Sequence, residues 1–138
     1  MAALAAAPVT LVAAGGGTPS LSESRPATAD ALARALRDAG ARVKFEQQIR
    51  QPFFTVPATI FEVDGEGVQV FAFRDARAAS EAAATVSRDG RKIGTTAPFW
   101  IGPPHFFRRS NLLVLYLGDD GQLLQRLQDA LGPQFAGA

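Results

Sequence analysis

Bulky apolar side chains recur along the chain in distinct rhythms. One is unbroken: Leu112-Leu113-Val114-Leu115-Tyr116-Leu117, closed by Gly118. A short apolar run bounded by turn residues predicts a strand buried on both faces, with neighbours on both edges. Its side chains would alternate, Leu112, Val114 and Tyr116 to one side and Leu113, Leu115 and Leu117 to the other. A second rhythm is helical. Leu32, Ala35, Leu36 and Ala39 predict a helix over 28–39, capped by Thr28 and ended by Gly40. Ala79, Ala82, Ala83 and Val86 predict another from Asp75 to about Ser87, whose small side chains allow close approach to a sheet. Leu123, Leu124, Leu127 and Leu131 stripe a third from about Asp120 to Leu131, stopped by Gly132-Pro133.

The remaining rhythm has period two. Val43, Phe45, Gln47 and Ile49 alternate with Arg42, Lys44, Glu46 and Gln48, which predicts a half-buried strand over 41–50, near an edge. Residues 58–63 and 68–73 flank Asp64-Gly65-Glu66-Gly67 and predict a hairpin. A strand is expected over 92–100, interrupted at Gly94, and another from His105 into the apolar run. The element order is α-β-β-β-α-β-β-α. Hairpins demand antiparallel pairing, so the expected fold class is α+β: an antiparallel sheet of about four to five strands, with helices packed mainly on one face.

The segment before the apolar run carries the candidate chemistry. Phe99-Trp100-Ile101-Gly102-Pro103-Pro104-His105-Phe106-Phe107-Arg108-Arg109 contains the single Trp and the single His of the chain. Trp, Phe and Arg are enriched at binding hot spots, and adjacent prolines fix the backbone that presents them. Candidate binding residues are therefore Trp100, His105, Phe106, Phe107, Arg108 and Arg109, with Phe53 and Phe54 between Pro52 and Pro57 as an extension. The same residues also suit a strand-turn-strand whose aromatics enter the core.

Composition narrows the function classes. The net charge of +1 gives no clustered basic field of the kind nucleic acid or a membrane surface requires. With no Cys and a single His, there is no thiolate nucleophile, disulfide framework or metal-ligand cluster, and no cofactor fingerprint is present. Asp64, Glu66, Asp119 and Asp120 read as a turn and a helix cap rather than ion ligands. No Ser stands in a nucleophile elbow, so a hydrolase would have to be built around His105. The excess of Ala, Arg and Gly, with far more Arg than Lys, suggests a GC-rich bacterial source.

Residues 1–14 carry no charged side chain, and residues 15–25 form a Gly/Pro/Ser-rich stretch. The apolar stretch is short of the roughly 20 residues a spanning helix needs. Its layout is that of an export signal followed by a flexible tether, which would be removed or unpacked in the mature protein. An Ala-rich tail or a short amphipathic helix fits the same residues. Leu11-Val12-Ala13-Ala14-Gly15-Gly16 resembles the signal-peptidase site of bacterial lipoproteins, with Ala14 where that family has its lipidated Cys. The resemblance implies an exported, lipoprotein-like protein whose anchor is lost or replaced; an ordinary secretory signal cut after Val12-Ala13-Ala14 remains open. The expected organisation is a signal-like segment 1–14, a linker 15–25, one domain over 26–133 and a loose tail 134–138.

These observations lead to one main expectation: a non-enzymatic binding or interaction module of the cell envelope, located in the periplasm or at the cell surface. Its partner would be a protein or a small apolar ligand. The alternatives are a small hydrolase-like enzyme using His105 and a structural homo-oligomer, of which a homodimer is the simplest case.

Overall fold

A computed structural model describes residues 27–138. The signal-like segment, the linker and their expected removal lie outside the described residues. The described chain is an α+β fold with three helices: α1 (Ala29–Asp38), β1 (Val43–Ile49), β2 (Ala58–Val63), β3 (Glu66–Ala72), α2 (Ala76–Ala83), β4 (Pro104–Arg109), β5 (Leu112–Leu117), α3 (Gly121–Leu131) and β6 (Ala136–Gly137). The strands form one six-stranded antiparallel sheet in the order β1-β2-β3-β5-β4-β6.

The apolar run is β5, an interior strand between β3 and β4, and residues 112–116 are all buried. Its alternation distributes the core between two layers, as expected. Leu112, Val114 and Tyr116 join Phe61, Val68, Val70 and Phe107 beneath α1 and α3. Leu113 and Leu115 join Phe71, Phe106 and Ala58 beneath α2 and the long connections 50–57 and 84–103. Two helices thus cover one face; one short helix and two loops cover the other.

Local chemistry explains each boundary. Thr28, Asp75 and Asp120 cap α1, α2 and α3, each side chain accepting a first-turn N–H, which satisfies donors the helix itself cannot. The β2–β3 turn is tighter than the four residues expected: Asp64 and Gly65 alone make it, with φ of 49° and 88°. Two successive positive φ values are the signature of the two-residue hairpin turn that matches strand twist. Glu66 and Gly67 belong to β3.

The sheet has six strands rather than the four to five expected, and four further sequence expectations change. The stretch 92–100 is not a strand; it is a loop with isolated bridges at Ile93, and Gly94 turns it at φ 61°. The hairpin partner of β5 is β4 instead, joined to it through Ser110-Asn111. β1 is exposed along most of its length and carries a bulge between Phe45 and Gln47, because neither covering layer reaches the sheet's outer edge. Residues 134–138 are not a loose tail. Ala136 and Gly137 pair with Phe106 and His105 to add the sixth strand, and Ala138 N–H donates to Pro104 O at 2.8 Å.

Asn111 ties the fold together. Its buried amide accepts from Ala27 N–H at 2.6 Å and donates to Ala27 O at 2.8 Å and Phe73 O at 2.9 Å. One side chain thereby holds the lead-in to α1, the end of β3 and the β4–β5 turn.

Candidate functional site

Strand alternation divides the candidate segment between the two faces of the sheet. Phe106 enters the α2 side of the core with Phe53, Phe54 and Trp100, whereas Phe107 enters the α1–α3 side. His105 lies on the latter side, stacked on Tyr116 with ring centroids 6.0 Å apart. Arg108 donates to Ser110 O at 3.0 Å and braces the hairpin turn, and Arg109 is exposed. The eight candidates therefore do not share one surface.

His105 is 7% exposed. Its Nδ1 lies 2.8 Å from Gln134 Oε1, so Nδ1–H donates there, and Nε2 is buried without a hydrogen-bond partner. Gln134 in turn donates to Ala138 O at 2.8 Å. The imidazole thus belongs to the seam that holds β6. Among the described residues, no Ser hydroxyl or carboxylate hydrogen-bonds to it. A general base must reach a substrate proton directly or through one water, and a ring enclosed in this way does not present itself to one.

Tyr116 heads a second polar cluster. Its hydroxyl donates to Glu66 Oε1 at 2.6 Å and accepts from Asp120 N–H at 3.0 Å. Burial, followed by the Glu66 carboxylate, pushes the phenol up to about 12. The cluster joins β3, β5 and the start of α3, so its geometry is that of a structural clasp.

The α2 side is rich in aromatic rings. Phe53 meets Phe54 at 5.1 Å and Trp100 at 5.7 Å edge-on, and Trp100 meets Phe106 at 6.2 Å. Edge-to-face pairs of this kind add to the area they bury. Between this cluster and α2 runs an open groove of about 340 Å³, lined by Phe53, Phe54, Phe73, Arg74, Ala78 and Glu81 among others.

The residues that do reach solvent flank Trp100. Phe99 is 95% exposed and Ile101 is 88% exposed. Trp100 between them turns inward, and its Nε1–H donates to Gly90 O at 2.8 Å. Just beyond the tip, Gly118 N–H donates to Pro103 O at 3.0 Å. Gly102 fits there because a Cβ would come within 3.3 Å of the Leu117 backbone. The tip is therefore clamped on both sides. Its exposed side chains escaped the sequence-derived candidate set because Phe99, Trp100 and Ile101 are all bulky and largely apolar; the hydrogen bond to the Gly90 carbonyl is what turns the half-buried Trp100 inward.

Gly90 sits in the turn 87–92, which Asp89 organises by accepting from Ser87 Oγ at 2.7 Å and Arg91 N–H at 3.0 Å. These bonds, that from the Arg91 N–H foremost, hold the Asp89 carboxyl below its ordinary range. Among the described residues, no group of three or more His, Asp or Glu is placed to hold a metal ion, and no helix is long and apolar enough to cross a membrane. No protein-family model matches the chain, and no curated protein or solved structure matches it either.

Proposed function

We propose that the domain is a non-enzymatic binding module of the cell envelope, and that it engages its partner through the 99–101 tip. The observation that supports this is the near-complete exposure of Phe99 and Ile101 on a loop clamped at Trp100 and Pro103. Exposed bulky apolar groups carry a solvation cost. Holding them rigidly also removes the ordering entropy a partner would otherwise have to overcome. The envelope location rests on the apolar 1–14 segment and the linker after it. The hydrolase alternative draws no support from His105, whose accessible partner is a glutamine.

The test is titration with an apolar fluorescent probe such as bis-anilinonaphthalene sulfonate. The Phe99→Ser/Ile101→Ser double variant should bind severalfold less probe than the wild type at an unchanged melting temperature. Equal probe binding by both proteins would remove the tip from the reading. A second reading, a structural homo-oligomer, draws on the outer edge of β1, where Phe45 is 58% exposed. Strand addition across that edge would give a concentration-dependent mass in light scattering that Phe45→Lys abolishes.

A further inference from the structure

We infer that the 99–101 tip and the basic turn beside it form a docking surface for an anionic lipid bilayer, an inference that rests on the tip being the binding surface. The near-neutral total charge conceals a local concentration. The turn 87–92 presents Arg88, Arg91 and Lys92, all exposed, against the single carboxylate of Asp89. That carboxylate accepts from Ser87 Oγ and the Arg91 N–H and lies 3.9 Å from Arg91 Nε, so Arg88 and Lys92 carry the net positive charge of the turn. The Trp100 indole bonded to Gly90 O joins this turn directly to the tip.

Size and shape select the occupant. Two projecting side chains offer roughly 350 Å² of apolar surface, whereas a stable protein interface takes about 800 Å² from each partner. A small convex apolar tip needs no shaped cavity in a fluid bilayer. It enters the headgroup–acyl boundary while neighbouring cations meet lipid phosphates. Because the loop is clamped at Trp100 and Pro103, insertion requires no refolding of the domain.

The experiment is co-sedimentation of the full chain with 100-nm vesicles of phosphatidylcholine alone and of phosphatidylcholine with about 30% phosphatidylglycerol, at two salt concentrations. Quenching of the single Trp by brominated acyl chains gives a second readout. The wild type should bind the anionic vesicles at least tenfold more tightly than the neutral ones, and salt should erode that difference. Phe99→Ser/Ile101→Ser should abolish binding and quenching. Arg88→Gln/Arg91→Gln/Lys92→Gln should remove the preference for anionic lipid; identical melting curves would confirm that each variant is folded. The inference is overturned if the wild type binds neither vesicle, if the double variant binds as well as the wild type, or if light scattering shows a dimer that the double variant abolishes. If the apolar probe still binds at the tip while vesicles do not, the lipid assignment falls and the binding-module reading stands.

Discussion

Replacing Asn111 by Ala should be the most damaging polar substitution in the domain. The Asn111 amide makes three hydrogen bonds of 2.6–2.9 Å to backbone groups of Ala27 and Phe73, and Asn111 itself is 1% exposed. Truncation leaves one N–H and two carbonyls without their protein partners at buried positions. Each stranded group costs about 1–3 kcal/mol, and a water admitted to the vacated space recovers part of that, so the net loss is roughly 3–5 kcal/mol. A domain of this size loses about 4 °C of melting temperature per kcal/mol, which gives a drop on the order of 15 °C.

The control is Asn111→Asp, which keeps the shape and the acceptor for Ala27 N–H but turns an anion toward two carbonyl oxygens. Burial and those oxygens raise the folded-state pKa of the introduced carboxyl above its unfolded value of about 3.9. The folded state then holds the proton more tightly. The deficit is therefore smallest at low pH, where the protonated group can still donate once, and grows as pH rises through the window between the two pKa values. Calorimetry of both variants from pH 3 to 8 checks this. A melting temperature within about 3 °C of wild type for Asn111→Ala, or a deficit in Asn111→Asp that shrinks as pH rises, would refute the reasoning.

Val114→Asp should prevent cooperative folding, because an unpaired charge at the centre of β5 costs several kcal/mol against a total of about 5–15; a retained sigmoidal melt would contradict the placement. Tyr116 is the single tyrosine, so absorbance at 295 nm should titrate near 12 rather than 10. Its raised folded pKa means a contribution to stability that is complete below 10 and lost as pH climbs from 10 towards 12, and Glu66→Gln should lower the midpoint. Gly137→Ala should detach β6, since its Cβ would overlap the Pro104 carbonyl at φ 117°; loss of hydrogen-exchange protection at Ala138 N–H reports the detachment.

The parts of this fold that were legible in the sequence are those whose signals are local. Caps at Thr28, Asp75 and Asp120 and the leucine stripe of α3 state their own structure, and an apolar run such as β5 has no solvent-compatible face to choose. β4 was harder to read. Pro104-His105-Phe106-Phe107-Arg108-Arg109 has no alternation because a doubly covered strand buries side chains on both faces, whereas residues 92–100 mimic a strand with their β-branched and aromatic content. β1 shows the opposite failure: its alternation is genuine, but exposure there depends on where the covering helices stop, and no local pattern encodes that. In the candidate site, the aromatic types were evident, but their division between faces depends on register, and the inward turn of Trp100 rather than Phe99 depends on a carbonyl ten positions away.

The strand order also dictates how the chain can assemble. β2 and β3 connect through a two-residue turn, as do β4 and β5, and the 50–57 connection adds β1 to the first pair, so each ribbon forms with modest loop-closure entropy. The two ribbons meet only where β3 pairs with β5, at positions on the order of 45 residues apart. Until that seam closes, neither covering layer has a complete surface on which to dock. The most apolar strand of the protein meanwhile presents an unpaired edge to other chains. The rate of zipping β3 to β5, more than the stability finally reached, therefore sets how long a newly made chain remains prone to aggregate.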